Sequence, residues 1–125
     1  MRRRLVCGVV AMLGVALACA PAGRPAATPT RTDQVAVFEP VGNPEVWGYT
    51  PKQIGVPKGT TVTWTNGGKE FHTVTSDDAG RPFDKSMNLG ERTTVTFDRP
   101  GDFTYHCGVH PQMKGVVHVC DGPCT

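Results

Sequence analysis

Short runs of alternating apolar and polar residues, separated by turn residues, fill the chain from Val35 almost to its end. The clearest run is Thr-Thr-Val-Thr-Trp-Thr at residues 60–65, in which Val62 and Trp64 fall on one face. Alternation with a period of two is typical of a strand that buries one face. The pattern predicts strands, in chain order, at 35–38, 53–57, 60–65, 72–75, 93–98, 102–106 and 115–120.

A helical pattern is missing from the same region of the sequence. No stretch carries a sustained apolar stripe with the helical period of 3.6 residues. Glycine and proline together, 15 and 11 residues, make up about a fifth of the chain and supply the turns between strands. Several short strands with frequent turns predict an all-β fold, an antiparallel sandwich or barrel. The sequence shows no internal repeat.

The pattern at the N-terminus differs from that of the predicted sheet region. Three arginines, Arg2 to Arg4, precede an uncharged apolar run from Leu5 to Ala18, which is typical of an export signal. The run is too short to cross a bilayer comfortably, which disfavours an uncleaved membrane anchor. The predicted organisation is a signal peptide at 1–18, a disordered linker at 19–33 and a single domain at 34–125.

Cys19 follows the small-residue sequence Val-Ala-Leu-Ala, which resembles a bacterial lipoprotein box. Cleavage before Cys19 would leave a cysteine for lipidation, with the Pro-rich and Ala-rich linker as a tether to the membrane. The alternative is cleavage at a small-x-small site such as Ala18 or Ala20, which would release a soluble periplasmic or extracellular protein. Both alternatives place the domain outside the cytoplasm.

Charge and size exclude several classes of protein. The chain has 13 basic and 11 acidic residues, but without residues 1–18 the count is 10 basic against 11 acidic. A mature net charge of −1 gives no support to nucleic-acid binding. A domain of roughly 90 residues has room for one small core, which rules out an enzyme with separate cofactor and substrate lobes.

The segment between the last two predicted strands carries an unusual set of metal donors. Cys107, His110 and Met113 follow one another at C-x2-H-x2-M spacing, so a thiolate, an imidazole and a thioether share one loop. Zinc rarely accepts a thioether, whereas copper accepts soft sulfur together with imidazole. A trigonal site needs a second histidine, and His72, at the start of an earlier strand, supplies it.

These residues resemble the cupredoxins, the type 1 blue-copper family that includes plastocyanin, pseudoazurin and amicyanin. The resemblance covers about residues 35–119 and includes Gly-Thr-Thr-Val-Thr-Trp-Thr-Asn, Pro-Gly-Asp-Phe-Thr-Tyr and the Cys-His-Met loop. It implies a Greek-key β-sandwich with one copper ion that cycles between Cu(I) and Cu(II). It also implies His72, Cys107 and His110 as equatorial ligands and Met113 as the weak axial ligand.

The resemblance also implies the task of the protein, which is to shuttle single electrons between redox partner proteins. We expect a partner to dock near His110, because its neighbours Gly108, Val109, Pro111 and Gln112 carry no charge. The sequence departs from the family next to the first histidine, where Phe71 replaces a frequent proline and Thr73 a frequent asparagine. We expect the backbone N–H of Thr73 to reach the Cys107 sulfur nevertheless.

Two other functions fit part of this pattern. A copper carrier or sensor at the cell surface could use the same ligands. A structural zinc site is suggested by Cys107-x2-His110 followed by Cys120-x3-Cys124. Export favours a disulfide between Cys120 and Cys124 instead, and zinc would leave His72 and Met113 without a role. No serine lies in a nucleophile motif, so we expect no enzymatic turnover.

Overall fold

The computed structural model describes residues 27–125, so the predicted signal peptide and Cys19 lie outside the described residues. Nine strands form the domain: β1 Gln34–Phe38, β2 Gly48–Thr50, β3 Gln53–Pro57, β4 Thr60–Thr65, β5 His72–Ser76, β6 Asp84–Met87, β7 Arg92–Phe97, β8 Gly101–His106 and β9 Lys114–Cys120. A 3₁₀ turn at Pro44–Val46 precedes β2. Within the described residues, no helix has the length and apolar character needed to span a membrane.

The strands form two sheets that pack face to face, which confirms the predicted all-β sandwich. One sheet has the order β2-β1-β4-β7 and the other the order β3-β9-β8-β5-β6. The sheets are not purely antiparallel, because β1 pairs with β4, and β3 with β9, in parallel. The alternation of apolar residues reports which face of a strand is buried and carries no information about strand direction.

Two strands, β2 and β6, were missed by the sequence pattern for physical reasons. β2 spans only the three residues Gly48–Thr50, which is too short for alternation to be recognised. β6 has the sequence Asp-Lys-Ser-Met and exposes its first three residues, because it lies at the edge of its sheet. Met87, its last residue, is fully buried and pairs with His72 of β5. β6 therefore extends the sheet beside the first predicted ligand.

The core lies between the sheets and continues to the end of the sandwich where the predicted ligands are found. Trp64 and Tyr105 are its largest fully buried side chains, and their rings meet edge to face with centroids 5.4 Å apart. Gly115 lies opposite Tyr105 in the β8–β9 pair, and a Cβ at Gly115 would overlap the tyrosine ring. Glycine is therefore required at this position of β9, because the tyrosine ring of the neighbouring strand occupies the place of a side chain.

The two ends of the described chain are fastened to β3 and β9. Thr30 donates a backbone hydrogen bond to Gln53 at 3.0 Å and accepts one from Gly55 at 2.9 Å, so contacts with the domain begin before the predicted boundary at residue 34. At the other end, Cys120 and Cys124 form a disulfide with their Cα atoms 5.4 Å apart.

Candidate metal centre

The Cys-His-Met loop connects β8 to β9 and is closed by its own backbone. Cys107 donates its N–H to the Met113 carbonyl at 3.1 Å, and Met113 donates its N–H to the His110 carbonyl at 2.9 Å. β8 and β9 continue the pairing up to the His106–Lys114 pair. The loop is therefore held at one end of the sandwich, with the side chains of Cys107 and Met113 fully buried.

Three predicted ligands converge at this end. His72 begins β5, and its Nδ1 lies 3.3 Å from Nδ1 of His110 and 3.8 Å from Sγ of Cys107. The Cys107 sulfur lies 3.8 Å from Nδ1 of His110. A triangle with these sides has its centre about 2 Å from each donor, which is close to an ordinary metal–ligand bond length.

The chemistry of the three donors fits copper. Two imidazole nitrogens and one thiolate in a trigonal arrangement are the equatorial set of blue-copper sites. Among the described residues, His72, Cys107 and His110 form one group of side chains with donor atoms close enough to share a metal ion. His72 and Cys107 are buried, and His110 is partly exposed, so the site has one side open to solvent.

The Cys107 sulfur accepts one backbone hydrogen bond from β5, and further hydrogen bonds hold that part of β5 in place. Thr73 donates its backbone N–H to the sulfur at 3.3 Å, which confirms the expectation from the sequence. The Thr73 hydroxyl accepts the N–H of Gly108 at 2.7 Å and shares a 2.8 Å hydrogen bond with the Thr75 hydroxyl. Tyr49 donates its hydroxyl to the Thr73 carbonyl, and burial raises the pKa of Tyr49 above its ordinary value. These bonds fix β5 against the thiolate.

Glu39, which no sequence pattern indicated, contacts the outer side of His72. Its Oε2 lies 2.9 Å from Nε2 of His72, the ring nitrogen that faces away from Cys107. Burial alone would raise the pKa of Glu39, but hydrogen bonds from His72 and from the backbone N–H groups of Lys69 and Glu70 lower it. Glu39 lies 33 residues before His72, so no local spacing indicated the pair.

Trp47 is a second residue that sequence reasoning missed. Its ring meets the rings of His110 and His72 edge to face, with centroids 5.1 Å and 6.0 Å apart. The indole N–H donates to the Pro40 carbonyl at 3.1 Å, and Gln112 donates its side-chain N–H to the Pro44 carbonyl at 3.0 Å. The segment before β2 therefore lies against the ligand loop and limits the movement of both imidazoles.

The alternative of a zinc site formed by Cys107, His110, Cys120 and Cys124 is wrong. Cys120 and Cys124 are bonded to each other, so neither offers a thiolate beside Cys107 and His110. The two other histidines of the chain also have separate partners. Nδ1 of His106 lies 2.5 Å from Asp77, and Nδ1 of His118 lies 2.6 Å from Asp102.

Comparison with known proteins points to one family. The family model described as a cupredoxin-like domain matches residues 9–119. Amicyanin from Paracoccus versutus is 31% identical over 77 residues, which are 57% of this chain and 57% of the amicyanin. Plastocyanin from Nostoc punctiforme is 28% identical over 112 residues, 67% of this chain and 81% of the plastocyanin. The chain thus spans little more than half of the amicyanin but most of the plastocyanin.

A solved structure gives the same result for the fold. The purple cupredoxin from Nitrosopumilus maritimus superimposes on this chain with a TM-score of 0.61 at 34% sequence identity. The superposition covers 70% of this chain and 98% of that protein.

The hydrogen bonds of Thr73 predict the effect of removing its hydroxyl. Thr73→Val keeps the backbone N–H that binds the sulfur but leaves the Gly108 N–H without its acceptor. We expect the free energy of unfolding of the metal-free protein to fall by about 1–2 kcal/mol, because two hydrogen bonds are lost. Chemical denaturation measures the change. Thr94→Val, at an exposed position of β7, is the matched control and should change stability by less than about 0.5 kcal/mol. Equal stabilities of the two variants would contradict the assigned role of Thr73.

Proposed function

Because this chain belongs to the cupredoxin family, we propose that it is a type 1 blue-copper protein that shuttles single electrons between redox partner proteins. Members of the family bind one copper ion. The observation that carries the proposal is the convergence of two imidazole nitrogens and one thiolate within 3.8 Å of one another. His72, Cys107 and His110 would hold the copper ion through two imidazole nitrogens and a thiolate, and Met113 would supply a weaker thioether ligand.

The chain supports electron transfer by holding the proposed copper ligands rigidly. Bound copper would supply the one-electron chemistry by cycling between Cu(I) and Cu(II). The donor set suits both oxidation states, because thiolate and thioether favour Cu(I) while imidazole suits Cu(II). Thr73, Trp47 and the closed backbone of the ligand loop hold the donors in place. A site that changes little between the two states has a small reorganisation cost.

Burial favours electron transfer over the delivery of copper. The side chains of His72, Cys107 and Met113 are fully buried, and only His110 of the four assigned ligands is partly exposed. A carrier that hands its metal to another protein needs ligands that an incoming donor can replace. Amicyanin and plastocyanin are electron carriers rather than enzymes, and we assign no catalytic residue to this chain.

A titration with Cu(II) tests the proposed function. The purified protein should bind one equivalent and develop an intense visible absorption band from charge transfer between the Cys107 thiolate and copper. Cys107→Ser should abolish the band even where some copper still binds. His118→Gln, which changes a histidine paired with Asp102 away from the site, should keep the band. A wild-type protein that binds copper without the band would contradict the proposal.

We further propose that partners dock on the surface around His110. Val109, beside it in the loop, is 53% exposed, and Val46 in the 3₁₀ turn is 50% exposed. The contact between Gln112 and Pro44 brings this turn next to the ligand loop. Val109 and Val46 therefore form an apolar part of the surface near His110, where a partner can make contact without desolvating ions, while the exposed Glu45 lies at its edge.

A charge placed at the proposed docking surface should slow electron transfer. We expect Val109→Glu to reduce the rate of electron exchange while the copper absorption spectrum stays nearly unchanged, because Val109 is no ligand. Gln34→Glu adds the same charge at the exposed first residue of β1, the end of that strand far from Glu39, and serves as the control. Stopped-flow measurement with a redox partner compares the two rates. If Gln34→Glu slows exchange and Val109→Glu does not, docking occurs elsewhere.

We also propose that the protein is exported and carries lipid on Cys19, with the residues between Cys19 and Thr30, where contacts with the domain begin, as the tether. The support is the arginine-led apolar leader and the small residues before Cys19. Mass spectrometry of the mature N-terminus should find a modified Cys19 as the first residue, and Cys19→Ala should release the protein from membranes. A free Ala20 or a later residue at the N-terminus would exclude lipidation.

A further inference from the structure

The contact between Glu39 and His72 extends the site beyond its assigned ligands. Oε2 of Glu39 lies 2.9 Å from Nε2 of His72, while Nδ1 of the same ring faces Cys107 and His110. A hydrogen bond from Nε2–H to the carboxylate leaves Nδ1 with its lone pair towards the two other donors. Partners of this kind fix the orientation and the tautomer of ligating histidines and make the imidazole a stronger donor.

The carboxylate of Glu39 is held in place by its surroundings. Its side chain is only 8% exposed, although glutamate is usually found in contact with solvent. The backbone N–H of Lys69 donates to both carboxylate oxygens at 3.0 and 3.1 Å, and the N–H of Glu70 lies 3.4 Å from Oε2. A Cβ at Gly68 would overlap the carboxylate, so glycine leaves the space that it occupies. Four polar contacts therefore meet at one buried carboxylate.

This arrangement joins three separate parts of the chain. Glu39 follows β1 in the other sheet, residues 67–70 form the turn after β4, and His72 begins β5. Asn66 fixes the same turn by donating its side-chain N–H to the Glu70 carbonyl at 2.8 Å and accepting the Gly68 N–H at 3.0 Å. The carboxylate thus connects His72 to a turn that is itself held by hydrogen bonds.

We propose that Glu39 is a positioning residue for His72. Through this contact Glu39 strengthens copper binding and lowers the reduction potential of the site, an inference that rests on the proposed function. The carboxylate acts through the imidazole and does not contact the metal. A negative charge hydrogen-bonded to a ligating imidazole stabilises Cu(II) more than Cu(I), because the doubly charged ion gains more from a stronger donor.

The variant Glu39→Gln removes the negative charge of the side chain while nearly keeping its size and shape. Its amide oxygen can still accept the Nε2–H of His72, but the negative charge is lost. We expect the ratio of Cu(I) to Cu(II) at a fixed ambient potential to rise about tenfold, a shift of about 59 mV for one electron. The affinity for Cu(II) should fall about tenfold, which is typical when the hydrogen-bond partner of a metal-binding histidine is weakened. Spectroelectrochemistry and competition with a chelator measure the two quantities, and the visible band should remain.

Gly68→Ala and Glu70→Gln complete the test. Gly68→Ala displaces the carboxylate without removing its charge and should change the potential in the same direction as Glu39→Gln. Glu70→Gln removes an exposed charge from the same turn and should shift the ratio less than about twofold, because only its backbone contacts Glu39. A shift in Glu39→Gln no larger than that in Glu70→Gln would overturn the proposal.

The metal-free protein gives a readout that does not depend on copper. Nitrogen NMR of the imidazole should show His72 protonated on Nε2 in the wild type at neutral pH. Protonation on Nδ1 would overturn the role of Glu39 whatever metal the protein binds. A wild-type protein that shows the Nε2 tautomer but no visible band with Cu(II) would contradict the proposed function and leave the hydrogen bond established.

Discussion

The pairing of β8 with both β5 and β9 is the constraint on which the site depends. Cys107 follows the last residue of β8, so its sulfur lies between His72 at the start of β5 and His110 in the loop that leads to β9. A shift of one residue in either pair would turn Cys107 towards the opposite face of the sheet. Gly115 supports the register, because its missing side chain leaves the space that the ring of Tyr105 occupies opposite it.

Burial of the donors requires further polar partners. A buried thiolate or imidazole is costly unless it is hydrogen-bonded or binds a metal. Thr73 provides an N–H for the sulfur, and Glu39 an oxygen for the outer nitrogen of His72. Each partner is in turn held by hydrogen bonds: Thr73 by the Gly108 N–H and the Tyr49 hydroxyl, and Glu39 by backbone N–H groups of the turn before His72. The rigidity of the site therefore comes from hydrogen bonds between elements that are distant in sequence.

The sequence predicted the parts of the fold and site that local patterns encode. Strands β3 and β4 were predicted at their observed bounds, since turns with glycine or proline border them and apolar residues mark their buried positions. The donors in the loop were recognisable because cysteine, histidine and methionine at that spacing are chemically specific. The parallel strand pairs were missed because the alternation of apolar and polar residues does not encode strand direction or pairing. The strand β2 was missed because it is only three residues long. Glu39 and Trp47 were missed because their partners are brought together only by the sandwich.

Extended X-ray absorption fine structure at the copper edge of the copper-loaded protein measures directly whether His72, Cys107 and His110 share one copper ion. If they do, the spectrum should show one short copper–sulfur and two copper–nitrogen distances. The sulfur contribution should be lost in Cys107→Ser, and one nitrogen should be lost or replaced in His72→Ala. Nitrogen and oxygen neighbours alone in the wild type, or a spectrum that Cys107→Ser leaves unchanged, would show that these three residues do not share a copper ion.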